Sequence, residues 1–222
     1  METEHGRYIG SVMDGKITGE GIMFYTSGDR YEGYWLDGTH HGKGKYFWAS
    51  GDTYSGSFKM NLKHGKGMHI RVQDGDSIYI YDGDYLENVR HGQGSLREVR
   101  AGVEYEGPRY IEFTGYFEND MFHGKGRLLV YDCKAKLIKY EEHDGLFKYG
   151  VKDGLGRNQR LKDSELYGDD EEFKKEVLTA EVLDYQDFVG DFINDRPVYH
   201  SGVLKNVKVQ VDKAAQMTKL QA

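Results

Sequence analysis

The sequence is poor in cysteine and contains no long apolar run. Cys133 is the single cysteine of the 222 residues, which excludes an intramolecular disulfide and is typical of a reducing compartment. No apolar stretch approaches the ~20 residues that a membrane span requires, and no charged-then-apolar leader opens the chain. We therefore expect a soluble, cytoplasmic protein.

A positive net charge is also missing. The net charge of −7 at pH 7 disfavours attraction to nucleic-acid phosphates and to anionic membrane surfaces. Glycine and tyrosine are abundant instead, with 30 and 18 residues respectively. All but three of the glycines precede residue 158, so we expect a glycine-rich array over 1–157 and a distinct tail over 158–222.

The glycine-rich part repeats itself every 23 residues at its start. The first copy carries Tyr8, Gly10, Val12, Gly15, Gly19, Gly21 and Gly28, and the second carries Tyr31, Gly33, Trp35, Gly38, Gly42, Gly44 and Gly51. With the looser later copies, about six units start near residues 8, 31, 54, 81, 113 and 143. A repeat of this length marks small supersecondary units that stack because none can bury a core alone.

Residue alternation within each unit predicts a β-hairpin. Tyr31, Gly33 and Trp35 lie on one face of a strand, and Asp37 with Gly38 favours the positive φ of a tight turn. Glycine weakens a strand, so glycines in every copy imply a large group against the bare backbone, most simply an aromatic ring of the neighbouring hairpin. The predicted fold is all-β, an elongated single-layer twisted ribbon of stacked β-hairpins with a helical or mixed C-terminal tail.

The units resemble the MORN (membrane occupation and recognition nexus) repeat. The second unit, YEGYWLDGTHHGKG, matches every fixed position of that pattern in register. Asn61, Asn88 and Asp120 replace the mid-loop glycine in the next three units, and these residue types also tolerate left-handed backbone. The first and sixth units depart furthest from the pattern, as the terminal copies of an array do.

The resemblance implies a non-enzymatic scaffold or adaptor within a cytoskeletal assembly, such as a ciliary or flagellar axoneme. A peptide or helix of a partner protein would lie in a groove along the aromatic face. The candidate partner-binding residues are Tyr31, Trp35, Tyr54, Phe58, Tyr81, Tyr85, Phe113, Phe117 and Phe147. The alternative is that these rings stack within the array, and we expect both roles. A regulatory subunit of an enzyme is a further alternative function.

A possible lipid-binding row is formed by Lys43, Lys66 and Lys125, which follow the histidine-glycine pairs along one edge. Such a row would hold acidic headgroups, and a peripheral phosphoinositide-binding adaptor is therefore an alternative function. The negative net charge disfavours binding to membrane phospholipid, so solvated edge lysines are the favoured interpretation.

Metal and catalytic sites find little support in the sequence. Equivalent histidines of adjacent hairpins would lie about 10 Å apart, too far to share a zinc ion whose ligands lie ~2 Å from the metal. We expect these histidines to hydrogen-bond the neighbouring loop; they are His41, His64, His91 and His123. Cys133 has no Cys-His signature around it, and the glycine-lysine clusters lack the features of a phosphate loop. No cofactor, metal or enzymatic activity is predicted.

The tail has its own pattern. An apolar stripe and a preceding acidic run predict an amphipathic helix over about 170–188. The stripe consists of Leu178, Val182, Tyr185 and Val189. The helix either caps the open edge of the array or docks a partner. Residues 188–202 resemble a degenerate seventh repeat.

Overall fold

The structure is a computed structural model that describes residues 1–73, 77–99, 110–132, 138–161, 182–198 and 203–210. These residues form strands joined by short turns, and no helix occurs among them. The strands are β1 (Glu2–Thr3), β2 (Gly6–Met13), β3 (Lys16–Tyr25), β4 (Arg30–Leu36), β5 (Thr39–Phe47), β6 (Thr53–Lys59), β7 (Leu62–Gln73), β8 (Ser77–Leu86), β9 (Val89–Val99), β10 (Tyr110–Glu118), β11 (Met121–Asp132), β12 (Ile138–Lys148), β13 (Val151–Leu161), β14 (Val182–Ile193), β15 (Arg196–Pro197) and β16 (Val203–Gln210).

The strands form one open antiparallel sheet, which confirms the all-β prediction. Strands β1 to β15 follow one another in chain order, and β16 pairs with β14. The chain divides into two compact units. The N-terminal unit contains Met1–Glu98 and Tyr116–Met121, and the C-terminal unit contains Val99–Gly115 and Phe122–Ala222. The boundary predicted after residue 157 falls inside β13.

Each hairpin places one ring on its own pair of glycines. Gly33 and Gly44 face each other across β4 and β5, and a Cβ atom on either would come within 2.7 Å of Tyr31. The prediction that this ring comes from the neighbouring hairpin is therefore wrong. The reason is strand geometry, because residues two apart share a face and the tyrosine leans along its own strand. Its hydroxyl donates to the carbonyl oxygen of Tyr34 at 3.0 Å, which fixes the ring over the glycines.

The rings of successive hairpins interlock edge to face in what we call the ring ladder. Trp35 stands between Tyr8 and Tyr31, with ring centroids 5.6 and 5.0 Å away. The alternation continues through the N-terminal unit with centroid distances of 5.0 to 5.3 Å, by way of Phe58, Tyr54, Tyr85, Tyr81 and Phe117. In the C-terminal unit, Phe147 stands 5.1 Å from both Phe113 and His143. Such aromatic pairs contribute ~0.5–1.5 kcal/mol each beyond their burial. The ladder is therefore a large part of the core of each unit, beside a buried cluster of Tyr110, Leu129 and Tyr131 in the C-terminal unit.

Each hairpin turn from the second hairpin onwards bonds to the hairpin before it. Asp37 and Gly38 have the predicted positive φ values of 48° and 80°, and the Gly38 N–H donates to a carbonyl of the preceding hairpin at 2.8 Å. Where asparagine replaces glycine, the turn makes a second bond. The Asn88 N–H donates to the Lys63 carbonyl at 2.9 Å, and its Oδ1 accepts from the Lys63 N–H at 2.8 Å. Asn61 and Asp120 make the same pair of bonds to their preceding hairpins.

Strand β14 corrects the prediction for the tail. Residues 182–188 are extended, so the helix predicted over about 170–188 is wrong there, and residues 170–181 lie outside the described residues. The backbone of β14 pairs with β13 on one side and with β15 and β16 on the other. Tyr185 and Val189 are four positions apart, which fits one face of a strand as well as one face of a helix, and sheet pairing decides between them.

Residues 188–198 have the local geometry of the other repeats. Phe188 and Phe192 lie edge to face at 5.2 Å, and Gly190 faces Gly156 across the strand pair. The turn residue Asp195 makes the same two bonds to Lys152 that the other asparagine and aspartate turns make. The edge-to-face ring pair, the facing glycines and the turn bonds of the repeats therefore continue beyond the sixth unit.

Candidate interaction surface

The nine rings predicted to bind a partner are buried in the ring ladder. None is more than 6% exposed, and five are 0% exposed. Tyr31, Trp35, Tyr54, Phe58, Tyr81, Tyr85 and Phe117 lie in the N-terminal unit, and Phe113 and Phe147 lie in the C-terminal unit. The structure thus places these rings in the core, and their contribution to partner binding stays a prediction.

A second row of rings, which we call the flanking row, lies beside the ladder on the same face of the N-terminal unit. It consists of Tyr25, Tyr46, Trp48, His69 and Tyr79, all of them partly exposed. Ring centroids are 6.0 Å apart for Tyr25 and Tyr46, 4.6 Å for Tyr46 and Trp48, and 5.3 Å for Trp48 and His69. Each of these rings packs against other side chains and remains partly accessible to solvent. A binding partner can cover rings that are held in this way.

Sequence reasoning passed over the flanking row because the repeat pattern fixes no residue at its positions. The alternation of side chains along the strands does indicate which residues lie on the ladder face. Tyr46 pairs directly with the ladder residues Tyr31 and Tyr54, and Tyr79 stands two positions before Tyr81 on β8. Both must therefore share the face of the ladder.

A groove of about 600 Å³ opens at the N-terminal end of the flanking row. Its lining includes Tyr25, Trp35, His40 and Tyr46. The His40 ring is 7% exposed and stacks on Tyr31 at 3.8 Å, and its Nε2 lies 2.6 Å from the Tyr25 hydroxyl. Burial lowers the pKa of His40 to about 4, so this part of the groove is uncharged at neutral pH.

Three basic side chains lie on ring faces at the other end of the flanking row. The Lys63 ammonium is 5.1 Å from the ring centre of Tyr85, and the Arg71 guanidinium is 4.9 Å from that of Tyr79. Arg90 donates a hydrogen bond to the Tyr79 hydroxyl. Burial first, and then the charge of Arg71, lowers the pKa of Lys63. The ladder face is thus cationic at this end.

The predicted lysine row lies on the opposite face. Lys43 and Lys66 line a second groove of about 670 Å³ in the N-terminal unit, where Glu32 and Asp82 accompany them. Lys66 also forms an ion pair of 2.9 Å with Asp84. This groove therefore mixes both charge signs. Lys125 is exposed on β11 of the C-terminal unit, and lipid binding by the three lysines stays a prediction.

The four equivalent histidines do not assemble a metal site in the described part of the chain, where no group of three or more metal-ligating side chains occurs. His91 lies edge-on to Tyr116 of the next hairpin at 5.9 Å, and His123 lies likewise against Tyr149 at 5.9 Å. His41 and His64 occupy the equivalent positions in their own hairpins. Among the described residues, no helix has the length and apolar character that a membrane crossing requires.

Comparison with known proteins identifies the repeats. The family model of the MORN repeat matches five consecutive segments, at residues 8–30, 31–53, 54–72, 81–97 and 113–129. These segments begin at the first five hairpin starts that the sequence predicts. No curated protein matches the chain.

Proposed function

We propose that this chain, a MORN-repeat protein, is a non-enzymatic scaffold that binds partner proteins on the ladder face of its N-terminal unit. MORN repeats are consistent with an adaptor role in protein interaction or membrane binding, and they are generally non-enzymatic. We also propose a place in a ciliary or other cytoskeletal assembly in the cytoplasm, which rests on analogy with the family.

The flanking row is the observation that carries this proposal. Tyrosine and tryptophan are enriched among the residues that dominate binding energy at protein interfaces, because they are large, rigid and partly polar. Here Tyr46 and Trp48 touch each other and remain partly exposed, while the ladder beneath them is fully packed. We therefore assign most of the partner-binding energy to the flanking row and the stability of the fold to the ladder.

The charges around the predicted lysine row favour protein over membrane lipid as the partner. Lys43 and Lys66 of the predicted row share their groove with carboxylates, and Lys66 is paired with Asp84. An anionic bilayer would have to displace these carboxylates, and the net charge of −7 adds repulsion over longer distances.

Affinity capture from ciliated cells tests the proposal. The Tyr46→Ser, Trp48→Ala double variant should lose most of the proteins that the parent captures, as measured by quantitative mass spectrometry. A matched control exists on the opposite face, where Phe24 and Tyr34 are each 42% exposed. The Phe24→Ala, Tyr34→Ser variant should keep the partners. If the first variant is folded by circular dichroism and still captures every protein, the ladder face is not the binding face.

A further inference from the structure

The geometry points to a partner segment that carries acidic side chains, which are received by Lys63, Arg71 and Arg90 at the cationic end of the ladder face. This inference rests on the proposed function and names the chemistry of the partner. We call these three residues the cationic end.

Lys63 is held on rings instead of on a carboxylate. Its ammonium lies 5.1 Å from the ring centre of Tyr85 and 5.7 Å from that of Tyr54. Within the described residues it forms no ion pair, and its backbone is fixed by the two bonds to Asn88. A cation on a ring face keeps its outward hydrogen-bond donors available to a ligand.

The Arg71 side chain also lies on a ring face. Its guanidinium lies 4.9 Å over Tyr79, and its Nε is buried without a hydrogen-bond partner in the part of the chain that the structure describes. Asp74 and Asp76, which follow in the sequence, lie outside that part. Arg71 also forms no ion pair in that part, so its guanidinium charge can be met by a partner's carboxylate through a charge-assisted bond.

Arg90 differs from Lys63 and Arg71 because a carboxylate of the same chain already contacts it. Its side chain is 18% exposed, and its Nε pairs with Asp120 at 2.9 Å. Asp52 acts electrostatically on His69 and Glu98 acts on Tyr79, but no ion pair of Asp52 with Lys63 or Arg71 occurs among the described residues. Asp52 Oδ1 instead accepts from the Val72 N–H at 3.1 Å. In the part of the chain that the structure describes, Lys63 and Arg71 therefore have no contacting carboxylate.

The rings around the cationic end indicate what should accompany the acidic groups. Trp48 stacks close to His69, with ring centroids 5.3 Å apart. Burial, and then the charge of Lys63, lowers the pKa of His69 to about 4, so this ring is neutral at pH 7. An acidic side chain next to an apolar or aromatic one would fit both surfaces at once.

A polypeptide fits this surface better than a membrane does. The cations are few, partly buried and seated among rings, whereas a bilayer is held by several exposed lysines and arginines. A peptide segment can place one carboxylate beside Lys63 and another beside Arg71 because its side chains alternate along the chain.

Selection from a random library of peptides about 12 residues long displayed on phage, with the full-length chain as bait, tests this inference. Peptides selected by the parent should be enriched in Asp and Glu beside aromatic residues. The Lys63→Met, Arg71→Met variant keeps the long side chains but removes the charges. It should lose the acidic enrichment, and a selected acidic peptide should bind it about tenfold or more weakly. The Lys43→Met, Lys66→Met control changes the same number of charges on the other face and should behave like the parent.

The outcomes separate this inference from the scaffold proposal. If the parent selects aromatic peptides without acidic residues, the acidic inference is overturned and the scaffold stands. If the Tyr46→Ser, Trp48→Ala variant and the Lys63→Met, Arg71→Met variant both select the same peptides as the parent, the ladder face is not the site and both proposals fail. If the parent selects no peptide but sediments with phosphatidylserine vesicles in a manner that requires Lys63 and Arg71, the partner is a membrane and the inference is overturned.

Discussion

A Cβ atom added to Gly56 would lie 2.5 Å from the hydroxyl oxygen of Tyr54. The two residues are neighbours on one face of β6, and the ring leaves no room for any side chain at the glycine. The same relationship joins Tyr31 to Gly33 and Tyr81 to Gly83. Glycine is therefore required at this position by its lack of volume, since Gly56 does not have a left-handed φ.

Replacing Gly56 should destabilise the fold. We expect Gly56→Ala to lower the free energy of unfolding by about 1–3 kcal/mol, because the Tyr54 ring must shift to make room for the added methyl group. Gly56→Val should lower it further. Urea unfolding measures the effect. Ser55→Val is the matched control, since Ser55 is exposed on the opposite face of the same strand and should change stability by less than about 0.5 kcal/mol. An unchanged midpoint for Gly56→Val would show that the Tyr54 ring does not rest there.

The turn bonds predict a stabilising substitution. Gly38 has a φ of 80° and nothing within 4 Å of an added Cβ, and Asn61 and Asn88 show that asparagine adds a side-chain bond at this position. Gly38→Asn should therefore raise the free energy of unfolding by about 0.5–1.5 kcal/mol, and Asn88→Gly should lower it by a similar amount. Gly15→Asn is the control, because an added Cβ at Gly15 also meets nothing within 4 Å and the Gly15 N–H makes no bond to another hairpin among the described residues. A gain at Gly15 equal to that at Gly38 would contradict the role of the bond.

The repeat period was sufficient to predict the hairpins and their turns, because glycine spacing and aspartate-glycine pairs constrain the backbone directly. It did not place the ring on the correct glycines, since the choice between own and neighbouring hairpin depends on how Tyr31 leans along its strand. Helical spacing misled the prediction for residues 182–188, where pairing on both sides of β14 outweighs local pattern. Trp48 was missed for a different reason, as the repeat pattern leaves its position variable.

Buried histidine should make stability depend on pH. The pKa of His40 is about 4 in the folded protein and ~6.5 when unfolded, so the unfolded state binds more protons between these values. Stability is therefore complete above pH ~6.5 and falls as the pH drops towards 4. We expect His40 alone to account for about 2 kcal/mol between pH 7 and pH 5. His40→Phe should flatten the profile by that amount in urea unfolding at the two pH values. Phe122 holds the equivalent position, stacked on Phe113 at 3.8 Å, and a profile as steep as the parent's would contradict the assignment.

The two tryptophans of the chain offer a direct test of which rings a partner covers. Trp35 is 3% exposed in the ladder, whereas Trp48 is partly exposed in the flanking row. Trp35→Phe should fold at a cost below about 1.5 kcal/mol, because Phe58 and Phe117 fill the equivalent position in other repeats. In that variant, Trp48 is the sole tryptophan, and a captured partner should protect its fluorescence from acrylamide. In the Trp48→Phe variant, the remaining Trp35 is already shielded, so the partner should leave its quenching unchanged. Protection of Trp35 but not of Trp48 would place the partner away from the flanking row.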